Sequence, residues 1–332
     1  MSSHVLVVGG AGFIGSHVCK VLAQSGRVPV TFDNLSTGFA DAVRFGPLVQ
    51  GEMGDAEQVA AALRQWNIGQ AILLGGFIAA GESVADPAKY YDNNVGRMIA
   101  LLDGLRAGGV GQVVFSSSAA VYGNAAATPI REDAAIHPSN PYGWTKAFIE
   151  QVLADFAAAY GLRAACLRYF NAAGSDPDGE LGERHQPETH LIPLVLDAAG
   201  GRRASIEIYG TDYPTPDGTC IRDYVHVADL AEAHVLSLGW LGGQCAGGMT
   251  ALNLGIGHGY SVRQVVKAAE AVTGRPIPVT YGPRRPGDPA ELVAAADRAG
   301  DLLRWRPRFP DVDTQIRHAW AWRSAHPAGG AP

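Results

Sequence analysis

The run VLVVGGAGFIGSH, residues 5–17, sets four β-favouring residues before glycines at 9, 12 and 15 and then opens an amphipathic pattern. The first four residues predict a buried strand. Ile14, Val18, Val21 and Leu22 fall on one face of a following helix, with Gly26 just beyond its end. Between strand and helix, Gly9, Gly12 and Gly15 let the backbone turn tightly and approach a ligand. The helix start offers unpaired N–H groups and a positive dipole end, which together suit a pyrophosphate. A glycine triplet alone is a weak signal. It gains weight from Asp33, which ends the second apolar run VTFD at about the distance where an acid receives the ribose 2′-hydroxyls of a dinucleotide. A carboxylate there repels a 2′-phosphate, so NAD is expected over NADP.

Outward from this unit, the runs VLVV, VPVTFD, AILLGG, QVVFSSS and RAACLRYF alternate with helix-sized segments. Such alternation implies βαβ crossovers and a doubly wound, Rossmann-like parallel sheet covered on both faces, an α/β fold. After about residue 170 the texture changes to Gly-, Pro- and Asp-rich loops, which suggest a smaller mixed α/β lobe forming a substrate wall. YVHVADLAEAHVLSLGWL regains helical periodicity and ALNLGIG reads as a buried strand, so the chain is expected to cross back. The expected division is residues 1–171 for cofactor, with a return segment about 224–256, and 172–223 with 257–323 for substrate. The tail 324–332 reads as disordered.

Composition excludes several classes. The 332 residues are 47% apolar and 17% charged with net charge −6, which leaves no basic footprint for nucleic acid. Cys19, Cys166, Cys220 and Cys245 are scattered without zinc-finger or CxxC spacing, which suits a reducing, cytoplasmic setting. The N-terminal apolar run lacks a basic flank or cleavage site, and no window approaches the roughly 20 apolar residues of a membrane span.

NPYGWTK, residues 140–146, places Tyr142 and Lys146 four apart on one helix face, with Asn140 and Pro141 as its start. A phenol is a poor base at neutral pH, but a lysine beside it and the positive charge of an oxidised nicotinamide both favour phenolate. FSSSAAVYG, residues 115–123, ends a strand in serines at the edge where open α/β sheets bind ligands, and Ser118 becomes the partner of Tyr142.

With GGAGFIGSH, DNLSTG, GESVADPAKYYDNNV, FSSSAAVYG, NPYGWTK, LRYFNAAG, ETHLIPL, YGTDYPTPDGTCIRDYVHV and RRPGD, the chain resembles the extended short-chain dehydrogenase/reductase family from residue 5 to about 323. Within it the resemblance is to the UDP-glucose 4-epimerase branch. Related sugar-nucleotide dehydratases and decarboxylating enzymes carry an acid where Ala119 and Ala120 stand. The resemblance implies transient oxidation: Tyr142, aided by Ser118, takes the proton of the sugar 4-hydroxyl while hydride leaves C4 for tightly held NAD, and hydride returns to the other face of the 4-keto sugar. Ser118, Tyr142 and Lys146 are the implied catalytic residues.

The implied cofactor contacts are Gly9, Gly12, Phe13, Ile14, Gly15, Asp33, Asn34, Ser36, Thr37, Gly38, Glu52, Met53, Leu74, Gly75, Gly76, Ile78, Asn94, Ser116, Tyr142, Lys146 and Tyr169. For a UDP-sugar the resemblance implies Arg222 and Arg285 at the diphosphate, Asn171, His190 and Leu191 near diphosphate and uracil, and Tyr209 near the uracil. Asp288, Ser118, Tyr142 and Leu292 complete that set. Spacing alone leaves open a pairing of Arg222 with Asp223 or Asp288. The family's usual His-Phe-Ala is Leu73, Leu74 and Gly75 here, and Ile78 stands where many members have lysine, so tightness of NAD retention is open. Leu292 replaces a bulkier tyrosine of some members, which suggests acceptance of N-acetylated sugars such as UDP-GlcNAc. HQPETH offers a His185 and His190 pair, but no metal is expected because no carboxylate or cysteine is read at ligand spacing. A homodimer is implied by the family. Other UDP-sugar 4-epimerases and a non-catalytic nucleotide sensor are the alternative readings.

Overall fold

The computed structural model describes residues 3–125, 127–285 and 288–326. Its strands are β1 (His4–Val8), β2 (Val28–Asp33), β3 (Leu48–Gln50), β4 (Gln70–Leu73), β5 (Gln112–Ser116), β6 (Arg163–Tyr169), β7 (Asn171–Ala173), β8 (Ile206–Tyr209), β9 (Ile221–Arg222), β10 (Tyr224–His226), β11 (Gly248–Leu254), β12 (Tyr260–Ser261), β13 (Val279–Gly282) and β14 (Glu291–Leu292). Its α-helices are α1 (Phe13–Gln24), α2 (Ala56–Trp66), α3 (Ala80–Ala85), α4 (Pro87–Tyr91), α5 (Met98–Ala107), α6 (Pro141–Tyr160), α7 (Leu191–Ala199), α8 (Val227–Gly242), α9 (Val262–Thr273), α10 (Asp297–Leu303) and α11 (Val312–Ala325).

Seven strands form one parallel sheet in the order β11-β6-β5-β4-β1-β2-β3. Its central strands are largely apolar on both faces because both faces are covered, whereas the edge strand β3 is partly exposed. Leu6 and Val8 of β1 enter one core with α2, α5 and α6, while Val5 and Val7 enter the other with α1, α8 and α10. The same alternation sends Phe115 one way and Val114 the other. The strand order reverses between β1 and β4, which opens a crevice at the carboxyl ends there.

A third core joins α7, α9 and α11 through Val195, Leu196, Val265, Val266 and Ile316. The pair β13-β8 and the three-stranded sheet β12-β9-β14 edge this smaller unit. Of the ALNLGIG segment, ALNL forms the second half of β11, which pairs along its length with β6, while GIG lies beyond the strand; α8 packs on α1. Ser324 and Ala325, expected in the disordered tail, instead end α11. There Arg323 binds Asp197 and the Trp322 ring stacks on His326, so the last turn is tied down. The rest of the expected tail, 327–332, lies outside the described residues. Among the described residues no helix is long and apolar enough to cross a membrane.

Candidate active site

The expected cofactor residues collect at the carboxyl ends of β1 to β6, although they come from all along the first half of the chain. Gly9, Gly12, Phe13, Ile14 and Gly15 follow β1; Asp33, Asn34, Ser36, Thr37 and Gly38 follow β2; Glu52 and Met53 follow β3. Leu74, Gly75, Gly76 and Ile78 follow β4, Ser116 ends β5, and Tyr169 ends β6.

The three glycines of the first turn do different work. A Cβ on Gly15 would stand 2.1 Å from the Gly9 carbonyl oxygen, and one on Gly9, which has φ +79°, would stand 2.6 Å from the Gly75 nitrogen. Both are required by the fold itself. A Cβ on Gly12 meets nothing nearer than 3.4 Å, so no protein atom demands glycine there. Gly12 caps α1 without a side-chain hydrogen bond, and the first turn holds no acidic residue. A bare, uncapped helix start beside an open backbone position fits the pyrophosphate of NAD. Asp33 turns its carboxylate into the same loop, accepting from the Ala11 N–H at 3.0 Å and the Leu35 N–H at 2.9 Å. Glu52 is held by Asn34 and Arg97, each at 3.1 Å. Buried Asn94 clamps the segment after β4, accepting from the Phe77 N–H and donating to its carbonyl, both at 2.9 Å. Ile78 is exposed.

Helix α6 begins as the sequence predicts, with the Asn140 side chain accepting from the Gly143 N–H at 2.9 Å and Pro141 in the first turn. Tyr142 is half-buried. Burial raises its phenol above the ordinary range, and the nearby Ser118 hydroxyl pulls it down. The Lys146 ammonium donates to the Ser116 carbonyl at 2.8 Å and lies 5.8 Å from the centre of the Tyr142 ring. Burial brings Lys146 down to about 8, with the Glu150 carboxylate pulling it back up. Ser116 shares a hydrogen bond with the Tyr169 hydroxyl. Ser118 also caps the short turn through Ala119 and Ala120 by accepting from the Ala120 N–H. No carboxylate occupies those two positions.

The expected substrate residues approach from the smaller unit. Leu292 of β14 packs on the cluster of Ala119, Val121, Tyr122 and Ile130, just beyond Ser118. β14 pairs with β9 so that Leu292 faces Arg222 in register, and the Arg222 guanidinium is bound by Asp288. Asp223 instead accepts from backbone N–H groups of Ile256 and Ala294, and burial pushes its carboxyl up to about 6. Arg285 stacks over the Tyr209 ring at 4.1 Å, and Asn171 donates its N–H to the Asp223 carbonyl at 3.0 Å. His190 caps α7, with Leu191 as the first helical residue.

Two features escaped the reading of the sequence. Glu150, four residues beyond Lys146 on the same helix face, accepts from buried Ser117 and is forked by Arg168. The helical spacing of Tyr142, Lys146 and Glu150 was the available signal. The expectation that His185 and His190 lack carboxylate partners is corrected: Glu183 and Glu188 both converge on them. Glu188 stood inside the quoted motif; only folding of the loop brings Glu183 in.

A parallel doubly wound sheet with a glycine-rich first turn and a serine, tyrosine and lysine at its carboxyl edge defines a dinucleotide-binding protein of the short-chain dehydrogenase/reductase type. The pattern of the NAD dependent epimerase/dehydratase family matches residues 5–245, and the chain belongs to that family. It is 48% identical over 322 residues to the UDP-glucose 4-epimerase of Azospirillum brasilense, covering 97% of this chain and 92% of that one. Among solved structures, the UDP-glucose 4-epimerase from Brucella ovis in complex with NAD is 51% identical, covers 96% of this chain and 97% of its own, and superposes with a TM-score of 0.93. The UDP-glucose-4-epimerase from Stenotrophomonas maltophila, solved with bound NAD and formylated UDP-arabinopyranose, is 39% identical with a TM-score of 0.94, over 98% of this chain and 99% of that one.

Proposed function

We propose that this chain interconverts UDP-galactose and UDP-glucose by 4-epimerisation with resident NAD. The observation that carries this reading is the placement of the Ser118 hydroxyl near the Tyr142 phenol, with buried Lys146 beside the ring and alanines rather than acids at the next two positions. Likeness over the whole chain to UDP-glucose 4-epimerases supports it.

Tyr142 is the base that takes the proton from the sugar 4-hydroxyl and gives it back. Ser118 steadies the phenol oxygen through both steps. The Lys146 ammonium beneath the ring favours the phenolate electrostatically, against the burial that opposes it. NAD held there would supply the hydride acceptor and donor for carbon 4. Ala119 and Ala120 leave no carboxyl group to expel water from that ketone. Gly12 and the start of α1 hold the pyrophosphate, and Asp33 the adenosine ribose. Arg222, oriented by Asp288, and Arg285 hold the substrate diphosphate, with N–H donors to spare. Asn171, His190, Leu191 and Tyr209 line the rest of the UDP site.

The reading includes the two-lobed division at residues 1–171 with 224–256, against 172–223 with 257–323. It also includes a homodimer, supported by the exposed aromatic cluster of Tyr91, Trp144 and Phe148 on α4 and α6. Because a leucine stands at 292, against the turn after Ser118, UDP-GlcNAc is a second substrate in this reading.

Purified protein incubated with UDP-galactose and followed by proton NMR tests the assignment. Conversion to UDP-glucose without stoichiometric release of reduced cofactor is expected. Absence of conversion with NAD bound, for both UDP-galactose and UDP-GlcNAc, would remove it.

A further inference from the structure

We propose that Glu183, His185, Glu188 and His190 form a closed site for a divalent transition-metal ion, with zinc the ion that its donors suit best. The four side chains each present a ligand atom, and these atoms lie within 4.8 Å of one another. His185 Nδ1 stands 3.2 Å from Glu183 Oε1 and 3.7 Å from Glu188 Oε1; His190 Nδ1 stands 2.5 Å and 3.7 Å from the same two oxygens. Metal–ligand bonds of about 2.0–2.2 Å place neighbouring ligands of a tetrahedron roughly 3.3–3.6 Å apart. The observed separations bracket that edge.

A second observation points to a missing partner. Glu188 is nine-tenths buried, its side chain only 10% exposed, and its Oε2 has no hydrogen-bond partner among the described residues. His185 Nδ1 is likewise buried and unpartnered, although a carboxylate oxygen lies within reach. His190 Nδ1 and Glu183 Oε1 share a hydrogen bond and Glu188 Oε1 accepts from the Thr189 and His190 N–H groups, so the atoms left for a further partner are Glu188 Oε2 and His185 Nδ1. Buried carboxylates also need a compensating charge. Arg323 reaches only 4.0 Å from Glu188: its Nε and Nη2 bind Asp197, and its Nη1 donates to the Glu183 carbonyl. The contrast is the carboxylate group of Asp176, Asp178 and Glu180, whose centre is already filled by the Lys20 ammonium.

Two imidazole nitrogens with two carboxylate oxygens favour zinc over calcium or magnesium, which prefer all-oxygen shells. Four protein ligands leave no open position, so the ion would be structural. The His185 ring meets the edge of Phe13, with centroids 6.4 Å apart, in the first turn of α1. The ion would therefore fasten the loop before α7 to the cofactor turn, and His190 would serve the metal as well as the UDP wall.

The test uses full-length protein from cells grown with added zinc sulfate, alongside H185Q and E188Q. After dialysis, mass-spectrometric metal analysis is expected to find about one zinc per native chain and under about a tenth of that in each variant. Chelator-treated native protein should rebind Zn2+, in competition with a chromophoric chelator, more than tenfold tighter than E188Q, since even outer-shell changes cost about 10–100-fold. Chelation should lower the melting temperature of the native protein and leave that of folded variants unmoved. Native protein that carries less than about a tenth of an equivalent and fails to rebind Zn2+ overturns the proposal. So does full zinc retention in both variants, which would place the ion elsewhere. If neither variant folds, metal content and rebinding of the native chain still decide, independently of epimerase activity.

Discussion

Helix α6 carries two buried polar clusters one turn apart, and they are finished to different degrees. Around Glu150 every strong donor and acceptor is answered: Arg168 forks the carboxylate and donates to the Tyr122 hydroxyl at 2.8 Å, and Tyr122 donates onward to Asn253 at 2.7 Å. Around Tyr142 the account is left open. Lys146, with three N–H donors, makes one hydrogen bond among the described residues, and the Tyr142 phenol has the Ser118 hydroxyl nearby to draw it down. A saturated network fixes geometry, whereas an unsaturated one keeps donors and acceptors for a ligand. Placed on one helix, the first can position the second.

The largest test separates the two by function. Tyr142→Phe should lower kcat by about 10²–10⁴-fold while leaving urea-unfolding stability within about 1 kcal/mol, since it deletes a proton-transfer group and one polar contact. An equal loss of stability and turnover would erase the distinction. The converse is Arg168→Met, which strands the Glu150 carboxylate in the core and should cost about 3–5 kcal/mol in urea unfolding. Turnover per NAD-loaded molecule should change far less; a collapse of specific activity in the folded fraction would mean the saturated cluster is itself catalytic.

A third test carries the comparison to the cofactor turn. Gly12→Ala should fold, because its Cβ meets nothing nearer than 3.4 Å, yet weaken NAD binding by about 1–3 kcal/mol through crowding of the pyrophosphate. Gly15→Ala, whose Cβ would lie 2.1 Å from the Gly9 oxygen, should disturb the fold itself. Calorimetric titration with NAD and a melting curve distinguish them. The smallest effect is on pH. Only the open cluster holds a cation near the neutral range, because burial lowers Lys146 to about 8 while Arg168 is pushed up. Above about 8 the ammonium that favours phenolate is lost, so kcat/KM should fall there, and Lys146→Arg should lift that limb. For stability the sign is opposite. Between about 8 and the ordinary 10.5 the unfolded chain binds more protons, so this group's penalty on the fold shrinks as pH rises.

What was readable in the sequence was whatever has a short period. The apolar runs, the first turn, Asp33 and the four-residue step from Tyr142 to Lys146 all declare themselves within one or two elements. Pairings across the fold do not. Glu150 meets Arg168 only because α6 lies along β6, and Arg222 selects Asp288 over its neighbour Asp223 because β9 pairs with β14 while Asp223 is claimed by backbone N–H groups. Glu183 reaches His185 and His190 through the path of a loop that has no periodicity to read. The end of α11 was misread because Ser324 and Ala325 are small and precede a Pro- and Gly-rich tail, while the anchoring pairs of Arg323 and Trp322 are tertiary.

The edge strand β11 has a further consequence, for the order in which the protein is made. It pairs with β6 yet is synthesised only after β7 to β10 and α8. A nascent chain that has completed the dinucleotide half therefore still exposes an unpaired sheet edge at β6. That edge remains open to mispairing until residue 254 has left the ribosome. The two units thus interleave along the chain, and they are expected to gain their final stability together, late, and as a single cooperative event.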